Sequence, residues 1–357
     1  MGHLSPNPSI RQGDSVRRLL LPSRVVWWLL PAAVAVVGCS GPFPQSTLHP
    51  ASDFGTAIDS LYRTIFWFAV GVFVIVEGLL IVILIRFRAR PGGEAKHVHG
   101  STVLEIAWTL APAVVLVFIA VPTMQTIFDV GGAPPEDALE VEVVGHQWWW
   151  EFRYPQLGIT TANELHVARG RPVALSMTSA DVIHSFWVPK LGGKRDVNPG
   201  RNTRIVFTPD SADTYLGQCA EFCGESHANM RFRVVVDEPD VFDQWSRAQA
   251  VAPAPVESLG DLARQGAEAF ARIRQPGNHS CVACHAIEGV SFGVLGPNLT
   301  HVAGRTTLAA GILPNTTEGL TRWLRNPPGE KPGSLMPDID LSDQEIAALV
   351  AYLQGLE

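Results

Sequence analysis

Two apolar runs limit what this chain can become. "IFWFAVGVFVIVEGLLIVILI" (65–85) and "LEIAWTLAPAVVLVFIAVPTMQTIF" (104–128) are each long enough to cross a bilayer as a helix. The segment between them carries Arg86, Arg88, Arg90 and Lys96, so the positive-inside rule puts it in the cytoplasm and sends both outer ends of the hairpin to the other face. Glu77 lies inside the first run, where a charge is costly; packing against the neighbouring helix and a functional role both account for it. Glu105 opens the second run in "TVLE", a spacing that fits a capping box with Thr102.

Composition agrees with a membrane protein that has water-facing parts: 17% charged residues stand beside 46% hydrophobic ones. A net charge of −7 with no long basic run argues against nucleic acid as a partner. Upstream, Arg11, Arg17, Arg18 and Arg24 precede a thirteen-residue apolar run (25–37) with the length of a signal peptide's apolar region. It ends in "VVGCSG", which resembles the lipobox of bacterial lipoproteins; the resemblance implies loss of 1–38 and lipid attached at Cys39. The other reading is an uncleaved anchor with an incidental cysteine.

From about 139 to 237 the pattern changes to short β-branched or alternating runs, "LEVEVV", "RPVALSMTS", "NTRIVFTP" and "RFRVVVD", divided by turn residues. This predicts an all-β domain built as an antiparallel sandwich. In "GHQWWWEFRY" three adjacent tryptophans on one strand would alternate between faces, leaving at least one away from the core unless both faces are covered. "QCAEFCGESHANM" (218–230) gathers Cys219, Cys223, His227 and Met230, and "DVIHSFWVP" offers His184. Two thiolates, two imidazoles and a thioether suit copper better than zinc, which has little use for methionine. A disulfide or a zinc knuckle remains the plainer alternative.

Beyond the Ala/Pro-rich linker 248–257, which spans on the order of 30 Å if extended, "SCVACHAIEG" supplies Cys281, Cys284 and His285. C-x-x-C-H is the attachment signature of c-type haem, with the thiols bound covalently and the histidine on iron. "GPNL", the closing helix "SDQEIAALVAYLQGL" and Met336 in "GSLMPD" complete the pattern, Met336 being the second axial ligand. His279 and His301 are rival ligands, read here as surface histidines. The five cysteines are shared among three short motifs, each read as using thiol chemistry, which leaves none over for a structural bridge elsewhere.

Residues 258–357 resemble a class I cytochrome c. "GHQWWW", "IHSFWVP" and "CAEFCGESHANM" together resemble the dinuclear copper centre, CuA, of cytochrome c oxidase subunit II, and the combined chain resembles the subunit II of oxidases that carry their own cytochrome c. The resemblance implies a two-helix hairpin (39–129), a cupredoxin-like sandwich (130–247) and an all-α haem domain (258–357). It implies that Cys219 and Cys223 bridge two coppers, that His184 and His227 take one copper each, and that Met230 and the Glu221 carbonyl are weak outer ligands. Trp148 becomes the aromatic through which electrons reach copper, Glu105 a residue of the proton path, and the Glu221 side chain a ligand of magnesium. Implied partners are the haem-copper subunit I, subunit III, an upstream cytochrome reductase or c-type cytochrome, and membrane lipid. The expected activity is electron input to a proton-pumping oxidase of a bacterial membrane, with oxygen reduced on subunit I and the copper and haem domains outside. Nitrous oxide reductases share the copper pair but lack the hairpin, and quinol oxidases share the hairpin but lack the copper ligands. A membrane-anchored electron carrier acting without an oxidase is the non-enzyme alternative.

Overall fold

The structure is a computed structural model, and it describes residues 43–88, 99–272 and 280–357. Cys39 and the signal segment, Arg90 and Lys96 of the loop, and His279 lie outside the described residues. Helix α1 (Asp53–Arg86, 34 residues) is about 51 Å long at 1.5 Å per residue, longer than a ~30 Å hydrocarbon core requires. Its first turn is rooted in the strand domain. Ser52 Oγ accepts from the Gly55 N–H (3.0 Å) and donates to the Leu191 carbonyl (2.7 Å), while Asp53 accepts from the Thr208 N–H (2.7 Å). Phe54 enters the core there against Gly192, where a Cβ would lie 1.9 Å from the phenyl ring.

Helix α2 (Thr102–Val130) runs beside α1, with Phe68 and Phe118 stacked at 6.4 Å. Both helices are long and apolar enough to span a membrane, and their apolar side chains face outward. The expected capping box is not formed. Ser101 is the N-cap and makes no side-chain cap bond, so Thr102 is already the first helical residue and Glu105 sits one position too far along to close the box. Glu105 is exposed, and Glu77 is half-buried on an otherwise outward-facing stretch.

The strand domain is a sandwich of two five-stranded sheets. Strands β1 (Leu139–His146), β2 (Trp149–Tyr154), β3 (Ile159–Ala162), β5 (Val173–Ser179) and β8 (Thr203–Phe207) lie in the order β3-β2-β1-β5-β8. Strands β4 (Glu164–Ala168), β6 (His184–Trp187), β7 (Arg195–Val197), β9 (Asp213–Cys219) and β10 (Arg231–Asp237) lie in the order β4-β10-β9-β6-β7. The expectation of purely antiparallel pairing is corrected: β1 pairs with β5, and β10 with β4, in parallel. Each of these pairs joins strands separated by intervening strands, and that excursion is the crossover a parallel pair requires.

Period-two burial builds the core: Leu139, Val141 and Val143 face in while Glu140 and Glu142 face out. Phe232 stacks on Phe186 (4.5 Å) and meets Trp150 edge-on (5.5 Å). Burying rings of this kind contributes roughly 1.5–3 kcal/mol each. The three tryptophans do not share a strand. Trp148 lies in the turn between β1 and β2, Trp149 stacks on His146 (4.2 Å), and Trp150 enters the core.

Helix α3 (Pro239–Gln249) packs Phe242 into the sandwich and lays Trp245 against Tyr154 and His166. That packing carries the helix through Gln249, and a 3₁₀ turn occupies Val256–Ser258, so the irregular stretch is 250–255, shorter than the run of Ala and Pro suggests. The C-terminal domain has its own core between α4 (Asp261–Ala271) and α8 (Asp343–Leu353), with Phe270 edge-on to Tyr352. Gly266 allows the close approach, since a Cβ there would lie 2.0 Å from the Ala348 carbonyl. A complete capping box, Ser342 with Glu345, starts α8. One-turn α5 (Cys281–Cys284), α6 (Thr317–Arg325) and one-turn α7 (Pro327–Glu330) add to a mainly helical domain, which also carries two short antiparallel ladders, Ala286–Ile287 with Ser291–Phe292 and Thr307–Leu308 with Leu313–Pro314. His301 is corrected from surface to interior: it is 7% exposed, its Nδ1 donating to the Glu357 carbonyl (2.8 Å), because the chain's C-terminal end folds back over it.

Candidate metal centre

His184 starts β6, Cys219 ends β9, and the loop after β9 carries Cys223, His227 and Met230 before β10 begins. Sheet pairing between β6 and β9, with Phe186 opposite Cys219, brings the distant histidine to the loop. Cys219 Sγ and Cys223 Sγ are 3.8 Å apart, far beyond the ~2.05 Å of a disulfide, so they are two separate sulfurs. His184 Nδ1 lies 3.9 Å from Cys219 Sγ, His227 Nδ1 3.5 Å from Cys223 Sγ, and Met230 Sδ 3.9 Å from Cys223 Sγ. The Glu221 carbonyl is 3.2 Å from Cys219 Sγ.

Both histidines turn Nδ1 toward the sulfurs. For His184, which is fully buried, the reason is visible: Nε2 donates to Asp181 Oδ1 at 2.8 Å, which fixes the tautomer and leaves Nδ1 as the free lone pair. Asp181 also accepts from the N–H groups of Gln147 and Val182, each at 2.6 Å. Burial pushes its carboxyl up, but these bonds outweigh burial and hold it below its ordinary value. The hydrogen bond from Cys223 holds the Cys219 thiol well below the ordinary thiol range despite burial; the same contact and burial push Cys223 up.

Such a pair releases its first proton readily, as a cation site requires. Four ligands close a structural zinc site; this cluster adds a thioether and a carbonyl, and its soft sulfurs fit copper.

Trp148 covers the cluster. It is 8% exposed, and its Nε1 donates to the Cys223 carbonyl at 2.9 Å; Gln147 Nε2 donates to the same oxygen at 2.7 Å. Gly224, at φ +114°, leaves room for both side chains. The Glu221 side chain points to solvent, and Glu105 lies apart on α2.

In the C-terminal domain Cys281 and Cys284 occupy α5 and His285 follows directly. His285 Nδ1 donates to the Pro297 carbonyl (2.8 Å), so Nε2 is the nitrogen left for iron. Gly296 is necessary beside the ring, since a Cβ there would lie 2.5 Å from His285 Cε1. Cys281 and Met336 both border the domain core. These residues fit a haem attached through two thiols.

No motif in the sequence marks Gln147 or Asp181 as part of the site. Asp181 stands three residues before His184, a spacing that suggests a contact without revealing that it also holds the Trp148 turn. Pro297 stands in "GPNL", but only the fold aims its carbonyl at His285.

Comparison with known proteins shows the family. Family models match for the cytochrome c oxidase subunit II transmembrane domain at 45–126, its periplasmic domain at 157–238, and cytochrome c at 263–357. Cytochrome c oxidase subunit 2 of Alkalihalophilus pseudofirmus is 35% identical over 331 residues, covering 90% of this chain and 94% of its own. The subunit 2 of Bacillus subtilis is 34% identical over 363 residues, covering 94% and 98%. Quinol oxidase subunit 2 of Bacillus cereus is 34% identical but covers only 50% of this chain and 65% of its own.

Proposed function

The chain belongs to the cytochrome c oxidase subunit II family, and from that premise we propose that it is the electron-input subunit of a proton-pumping terminal oxidase carrying its own donor domain. Electrons enter on the C-terminal domain, reach the thiolate pair by way of Trp148, and leave toward the haem-copper subunit I, where oxygen is reduced to water. The observation that carries this reading is the convergence of six donors from His184, Cys219, Glu221, Cys223, His227 and Met230 under the Trp148 indole. When bound, a dinuclear copper centre and haem c supply one-electron couples.

The protein's part is to hold and shield them. Cys219 and Cys223 lie buried inside a rigid sandwich, which keeps water out and limits rearrangement when charge changes. Asp181 fixes the His184 ring, and the Pro297 carbonyl fixes His285. The Trp148 N–H bond to the Cys223 carbonyl supplies a short contact from the domain surface to the sulfurs. Met336, as a second ligand of a haem iron held by His285, would favour the high potential of an electron carrier.

The same premise assigns the exposed Glu221 side chain to magnesium at the subunit I boundary, Glu105 to the proton path, and Cys39 to lipid. Subunit III and an upstream cytochrome reductase or c-type cytochrome are the remaining partners.

Electron paramagnetic resonance tests the ligand set. Cys219→Ser and Cys223→Ser are each expected to abolish the mixed-valence copper signal while the c-type haem spectrum stays intact, and an unchanged copper signal would sink the assignment. Purification in mild detergent tests the oxidase role, which fails if no partner subunit bearing further haems comes with the chain.

A further inference from the structure

The C-terminal domain rests on the copper domain through two buried charged groups that metal and haem ligation leave unexplained. Lys331, 4% exposed, reaches from the haem domain and donates from Nζ to the carbonyls of Trp148 (2.5 Å) and Ala309 (3.1 Å). Glu164, 2% exposed, reaches the other way from β4. Its Oε1 accepts from the Thr306 N–H and Oγ1 (2.9 and 2.6 Å) and from the Thr307 N–H and Oγ1 (2.9 and 3.1 Å). Each domain thus plugs one charge into the other.

Charged side chains are almost never fully buried unless their hydrogen bonds are made, and here both are richly supplied. Burial pushes the Lys331 amine down to about 7. A surface meant only for brief encounters keeps its charges hydrated at the rim. Trp148 adjoins the Lys331 plug through its carbonyl. Its indole N–H is bonded to the Cys223 carbonyl, and its six-membered ring lies on Gly333, where φ is +75° and a Cβ would be 2.7 Å from Cη2. Ser226 Oγ donates to the Pro332 carbonyl (2.5 Å), closing the same seam. Gly333 is three residues before Met336, so one indole touches the loop of a haem ligand on one side and a copper ligand's backbone on the other.

We propose that Lys331 and Glu164 are positioning residues that latch the haem domain onto the copper domain with Gly333 seated on Trp148, and that electrons cross from this docked pose. The latch rests on the electron-input reading above. In the step it serves, a haem held by Cys281, Cys284 and His285 would give up one electron and copper held by Cys219 and Cys223 would gain it; no bond would form or break. Tunnelling falls steeply with separation, so a pose that keeps the Trp148 ring in contact with both domains favours transfer over one that swings.

The test uses the full chain with its partner subunits, loaded with copper and haem c, as unsubstituted protein, Lys331→Met and Glu164→Ala. Losing hydrogen bonds to a buried charge lowers the docked-to-undocked ratio by roughly 10- to 100-fold. In Lys331→Met, which leaves their Glu164 acceptor in place, that factor is expected in the deuterium exchange of the Thr306 and Thr307 amides, and in both variants a new viscosity-dependent phase is expected in haem c oxidation after rapid photoreduction. The copper signal, haem spectrum and midpoint potentials should stay as they are in the unsubstituted protein. Exchange and transfer unchanged in both variants, or faster transfer in either, would overturn the latch. Absence of the copper signal or the c-type haem spectrum from the unsubstituted protein would instead overturn the electron-input reading.

Discussion

Asp181 shows how much a single side chain can organise. One carboxylate oxygen holds His184 Nε2 and the other holds the Gln147 N–H, so the copper-facing imidazole and the Trp148 turn share one anchor. Removing an outer carboxylate of this kind typically costs 10- to 100-fold in metal affinity. Asp181→Ala is therefore expected to lower copper affinity by about that factor with haem c content unchanged, measured by equilibrium dialysis against a copper buffer. The donors themselves were legible as residue types, because few other sites combine two thiols, two imidazoles and a thioether. Asp181, Glu164 and Lys331 were not legible, since an acid or a lysine in a sequence reads as a solvated charge until the fold buries it.

At the scale of elements, the β1–β2 hairpin illustrates a pH-sensitive support. Glu151 on β2 accepts from His146 Nε2 (3.3 Å) and Arg153 Nη2 (2.9 Å). Burial pushes its carboxyl up, but those bonds outweigh burial and hold it below its ordinary value. A carboxyl depressed in the folded state contributes stability above its unfolded value, near 4.5, and that stability is lost as pH falls through the folded value. The urea midpoint of the copper domain should thus drop on acidification below about 4.5, and Glu151→Gln should flatten that part of the profile; an identical profile would contradict the assignment. Element boundaries were less legible than element types. Thr102 and Ser101 can both cap a helix, and the choice of Ser101 moved Glu105 out of register. Strand periodicity marks which face is buried, yet it is silent on the partner's direction, and two parallel pairs went unforeseen.

For the whole molecule, the question is whether the segment 250–255 or the interface keeps the two domains together. Adding ten Gly/Ser residues to that segment lowers effective concentration by about fourfold, since it scales as the −3/2 power of length. With the latch intact this change should leave the rate of haem c oxidation unaltered; combined with Lys331→Met it should slow the reaction further. A slower rate from insertion alone would show that the tether, rather than the interface, does the holding.

The membrane hairpin, the strand domain and the haem-attachment domain are determined by sequence alone, because each depends on local quantities: the length of an apolar run, a period of two, or a spacing of thiols and histidine. The residue types of the metal cluster belong with them. Tertiary structure decided which oxygen pairs with His184 Nε2, that Trp148 lies in a turn over Cys223, that His301 is buried, and that Lys331 and Glu164 exchange places between domains. These are contacts between residues far apart in the chain, and their energy depends on burial, which no local pattern carries.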